Sequence, residues 1–150
     1  MTVIVSHSPA QILAQLLIDL GLGNAPTTGG NQPSWPVVAD NEPKSPDNTI
    51  TVTDTTSIIF DGDSHGGRNE FYGFQVKIRS GTHSIGWPKA KAIATAMDTF
   101  KAQETVVVNG TSYCVGQIIR ASGPLRLGPE AGNSRRAFTV NGLAYIVLSS

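Results

Sequence analysis

The sequence predicts an α+β domain: a mostly antiparallel β-sheet with two α-helices packed on one face and a long inter-strand hairpin loop. Three observations lead there. Two stretches repeat apolar residues at helical spacing, several others alternate apolar and polar residues with period two, and the links between strand-like runs carry turn residues rather than helical crossovers.

The first helix spans about residues 9 to 21. Ser8 can cap it, Pro9 suits its first position, and Gln11 can close a capping box. Ile12, Leu13, Leu16, Leu17 and Leu20 then form one apolar face, and Gly21 and Gly23 supply a stop. Residues 23–48 are rich in Gly, Pro, Asn, Thr and Ser, yet Trp35, Val37 and Val38 predict a short extended piece pinned to a core. Ile50 and Val52, and then Tyr72, Phe74, Val76 and Ile78, alternate with polar residues or glycine as half-buried strands do. The segment between these strands, FDGDSHGGRNEFYG at 60–73, is predicted to project from the sheet as a long loop.

A second helix is predicted over about 86–101, with Ser84 as a possible cap and Ala90, Ile93, Ala94, Met97 and Phe100 as its apolar stripe. Asn109-Gly110 between two valine- and threonine-bearing runs signals a tight hairpin. Its second arm passes Ile118 and Ile119, a turn-rich stretch follows over 122–136, and a last strand runs from 136 to 148.

The 150 residues are expected to form a single domain over 1–150, large enough to bury a core without staples. Lys plus Arg equals Asp plus Glu at 11 each, so no global field holds DNA or an anionic membrane. Only 15% of residues are charged, which leaves little repulsion against association with partners. The lone Cys114, in an apolar run, excludes an intramolecular disulfide and reads as a small hydrophobe. The start MTVIVSHSPA lacks a basic segment and a long apolar one, and no later run approaches a membrane span. A soluble chain made in a cytoplasm is expected.

Asp61, Asp63 and His65 followed by Gly66 imitate the opening of an EF-hand calcium loop. The imitation stops at the twelfth position, where Tyr72 stands in place of a bidentate glutamate, and strands rather than helices flank the loop. No lysine or following helix makes the loop a phosphate cradle, and His7, His65 and His83 have no metal-ligand spacing. No G-x-S-x-G elbow is present, and Cys114 has no neighbouring base. No metal, cofactor or catalytic residue is therefore expected, and a small metal-dependent enzyme is the least favoured alternative. The stretch from Asp61 to Glu70 reads instead as a mobile loop whose Asp61, Asp63, His65, Arg68 and Glu70 meet a subunit or partner and order on assembly. Arg126, Arg135 and Arg136 read as a polar rim, with Arg120 close to them in sequence.

The ordered set formed by SPAQILAQLLIDLGLG at 8–23, Trp35-Pro36-Val37, Glu42-Pro43 with Pro46-Asp47-Asn48, GFQVKIRS at 73–80, the Asn-Gly hairpin and Asn133-Ser134-Arg135-Arg136 resembles a family of tailed-phage minor capsid or tail-terminator proteins. The resemblance spans nearly the whole chain. It implies a non-enzymatic virion protein of the neck, assembled in the host cytoplasm. Such proteins form a six-membered ring on the head-proximal end of the tail tube, stop tube growth and dock to the head-tail connector, while genomic DNA passes through the lumen without specific binding. A head-completion, connector or tail-tube component is the alternative within the same particle.

Overall fold

The computed structural model describes residues 6–28, 31–61, 68–100, 103–128 and 135–149. In chain order the elements are α1 (Pro9–Asp19), β1 (Val37–Ala39), β2 (Thr49–Asp54), β3 (Ile58–Asp61), β4 (Arg68–Ser80), α2 (His83–Asp98), β5 (Glu104–Val108), β6 (Thr111–Leu127) and β7 (Arg136–Leu148). Among the described residues no helix is long and apolar enough to cross a membrane.

The expected layout of a mostly antiparallel α+β sheet is corrected by the sheet itself, which is mixed and curls into a half-barrel. Strands account for 47% and helices for 22%. Six strands run in the order β1-β2-β4-β7-β6-β5, and β3 joins as a seventh on β4. β1 lies parallel to β2, with Val37 beside Ile50 and Ala39 beside Val52. Parallel neighbours cannot be joined by a tight turn, and here an irregular strap over 40–48 makes the crossover instead of a helix. A crossover without helical periodicity leaves no parallel-strand signature to read.

The long hairpin loop is corrected as well. β3 pairs antiparallel with β4 from Ile58 against Phe71 to Asp61 against Arg68, so strand replaces both flanks of the stretch predicted to be mobile. The second helix starts at His83, three residues before the predicted 86, with Thr82 rather than Ser84 as its cap. The Thr82 hydroxyl accepts from the Ile85 N–H at 3.3 Å. Packing explains the early start: a Cβ on Gly86 would stand 2.2 Å from Ser80 Oγ and 2.7 Å from Phe138, so glycine lets the first turn lie directly on the sheet. The stretch 122–136 is not all turns, because β6 continues to Leu127 through register shifts around Arg120, Ser122 and Leu125 that absorb Gly123 and Pro124.

Helix α1 closes its capping box, with Ser8 and Gln11 bonding each other's backbone. Asp54 Oδ1 adds an acceptor for the Ala10 N–H at 2.8 Å, fixing the helix start to the end of β2. Ile12, Leu13, Leu16 and Leu17 of α1 join Ile93, Ala94 and Met97 of α2 in one core. Phe74, Val76 and Ile78 from β4 and Phe138, Val140 and Ile146 from β7 complete it. α2 lies against β4, β7 and β6, whereas α1 touches β1, β2 and β5, the two opposite edges of the curled sheet. Asn109 and Gly110 both have positive φ, 47° and 83°, and make the two-residue turn between β5 and β6.

Candidate functional site

The strap over 40–48 is held by charges on the outer face of the sheet. Arg79 of β4 is almost wholly buried, and its Nη1 donates to Glu42 Oε1 at 2.6 Å. Its Nη2 donates to the Pro46 carbonyl at 2.6 Å and its Nε to the Asp47 carbonyl at 3.2 Å. Lys77, two residues earlier on the same face, reaches Glu42 Oε2 at 2.7 Å. Burial alone would raise the Glu42 pKa, but the hydrogen bonds and charges of Lys77 and Arg79 outweigh it and hold the carboxyl below its ordinary value. Arg135 completes the clamp: Nε donates to Asp47 Oδ1 at 2.8 Å and Nη2 donates to the Lys44 carbonyl.

These contacts place the residues singled out in the sequence. Arg135, expected on a rim, ties the strap to the start of β7. Arg136 opens β7 opposite Ser80, and Arg126 sits exposed on β6 opposite Phe138. Asp61 and Arg68 are cross-strand partners that end β3 and begin β4. Glu70 lies on β4 opposite Ile59. Asp63 and His65 lie outside the described residues. The strand registers separate the groups: Asp61, Arg68 and Glu70 stand at one end of the long central strands and Arg126, Arg135 and Arg136 at the other. Arg120 is not part of that rim, because its guanidinium grips Asp98 of α2 at 2.8 and 2.9 Å.

Sequence reading missed Arg79 and Glu42. The available signal was a pair of cations, Lys77 and Arg79, on the outward face of a strand, with the carboxylates Asp40, Glu42 and Asp47 in the Pro-rich segment upstream.

His7 and His83 do structural work: His7 Nδ1 lies 2.6 Å from the buried Tyr113 hydroxyl, and His83 stacks on Trp87. Among the described residues no group of three or more His, Cys, Asp or Glu side chains could hold a metal. Between α1 and α2 lies a wholly apolar gap lined by Leu13, Leu17, Phe74, Met97 and Ile118, with only about 10 Å³ of free space. It has room for packing and none for a substrate.

The surface is more telling. β5 pairs only with the Thr111 to Val115 part of β6, so the outer edge of β6 beyond it has no strand partner among the described residues. That stretch exposes Ile119, Leu125 at 53% and Leu127 at 42%. At the other end Ile58 of β3 is 43% exposed, and Ile85 and Trp87 are exposed on the first turns of α2. Side chains of this kind, apolar and half in water, suit partner contact. No family model matches the chain, and no curated protein matches it.

Proposed function

We propose that the chain is a structural subunit of a tailed-phage neck that forms a closed ring on the head-proximal end of the tail tube. The ring ends the tube and joins it to the head-tail connector, with six copies as the expected number. The reading rests on the ordered sequence resemblance, and the observation that carries it is the exposed, strand-unpartnered length of β6 with Ile119, Leu125 and Leu127. A ring needs two different surfaces per subunit, one for each neighbour, and a curled sheet with two separate edges supplies them.

The test is location and shape. The protein should be found in purified virions, and electron microscopy should place it as a single ring between tube and connector. Absence from particles would overturn the reading. Long filaments of the purified chain would point to a tube subunit instead.

A further inference from the structure

We propose that Asn109-Gly110, the turn between β5 and β6, is a site of spontaneous covalent modification at which Asn109 converts to isoaspartate and aspartate. The inference goes beyond the ring reading and stands without it. The Gly110 nitrogen attacks the side-chain carbonyl carbon of Asn109 and gives up its proton. A C–N bond forms, the side-chain amide nitrogen leaves as ammonia, and a five-membered succinimide remains. Water then breaks one of the two ring C–N bonds. One cut restores the backbone as aspartate, and the other leaves the chain running through the former side chain as isoaspartate. Water is the sole co-reactant, and glycine leaves the attacking nitrogen unhindered.

The tripeptide Val-Asn-Gly occurs twice, at 108–110 and 140–142, and the fold treats the two copies oppositely. Asn109 and Gly110 are both exposed beyond the last hairpin pair, Val108 with Thr111, and a Cβ on Gly110 would meet nothing within 4 Å. Asn141 and Gly142 lie within β7, paired to β4 on one side and flanked by β6 on the other. Gly142 is buried, and a Cβ there would stand 3.0 Å from the Ile119 carbonyl oxygen. The Asn141 side chain is held as well: Oδ1 accepts from Gln75 Nε2, and Nδ2, the nitrogen that would leave, donates to Ser122 Oγ, each at 3.1 Å.

Neither folded conformation lets the ring close. The left-handed backbone of Asn109, with φ 47°, and the extended backbone of β7 both turn the next nitrogen away from the side-chain carbonyl, so each site must first open. Fraying the hairpin tip disturbs one turn, whereas freeing Asn141 separates a central strand from both neighbours. The tip therefore reacts from a state the chain visits often, and β7 from one it visits rarely. The two products also differ. Aspartate tolerates the left-handed position and keeps the turn, while isoaspartate adds a methylene to the backbone of a two-residue turn and breaks its fit.

The experiment ages the full chain in warm, mildly alkaline buffer and follows both tripeptides by peptide mass spectrometry, with an isoaspartyl-specific methyltransferase counting the isoaspartate. In the folded chain Asn109 should convert at least about a hundredfold faster than Asn141. In denaturant, where the flanking tripeptide is the same and the fold is gone, the two should agree within about threefold. The isoaspartyl fraction should melt below the parent, and Asn109→Asp should melt close to it.

Equal ageing of the two asparagines in the folded chain would overturn the proposal. So would a folded chain in which neither converts, or a preference for Asn109 that persists in denaturant and so owes nothing to the fold. An isoaspartyl fraction that melts with the parent would refute the predicted damage to the turn.

Discussion

Arg79 is the residue on which the mixed sheet depends, because it neutralises a carboxylate and binds two strap carbonyls from a site only 3% exposed. Breaking a buried, bonded pair from one side leaves the other members unsatisfied, so Arg79→Met should lower unfolding free energy by about 3 kcal/mol in denaturant titrations. Hydrogen exchange should rise first over 40–48. Glu42 supplies the pH dependence. Its folded pKa lies below the ordinary 4.5, so its contribution is present above about 4.5 and is lost as pH falls through the lower folded value. Glu42→Gln should therefore flatten the acid limb of a stability-against-pH profile while lowering stability at pH 7. Gly142 tests the inner face: a Cβ there would meet Met97 Cε at 2.6 Å and Phe74 Cζ at 2.8 Å. Gly142→Ala should cost about 2 kcal/mol in the same titration, softened by how far the methionine end can swing aside.

Among elements, those governed by local rules were legible and those governed by tertiary contact were not. The capping box at Ser8, the leucine face of α1 and the Asn109-Gly110 turn each follow from neighbours in sequence. Gly110→Ala, at φ +83°, should destabilise the β5–β6 hairpin by about 1 kcal/mol, visible as a lower melting temperature. By contrast, a second Asn-Gly pair at Asn141-Gly142 lies inside β7 and makes no turn, since β4 and β6 flank that strand on both sides. Gly123-Pro124 signals a turn locally, yet bulged pairing to β7 carries β6 through it. β3 was lost for a similar reason: Ile58 and Phe60 are too few to show a period, and only their pairing to β4 makes them a strand. Of the candidate site, the residue types were legible and their placement was not. Arg135 reads as a rim charge until Asp47, distant in sequence, is brought beside it.

The whole molecule is a sheet curled around one core and held by a helix that touches both of its edges. Leu16 of α1 is 1% exposed, and Leu16→Ala should cost about 3 kcal/mol. Because α1 contacts β1 and β5 alike, amides in those two edges should lose protection together in hydrogen exchange, although they lie at opposite ends of the sheet. That shared contact also sets an order of events at birth. Helix α1 is made first, and β5 lies some 85 residues later, so at ribosomal speed α1 waits on the order of ten seconds for its final neighbour. Although β1, β2 and β4 emerge sooner, the part of its apolar face that meets β5 lacks that cover throughout the interval, and a nascent chain of this design spends its early life more exposed to misassociation than its finished surface suggests.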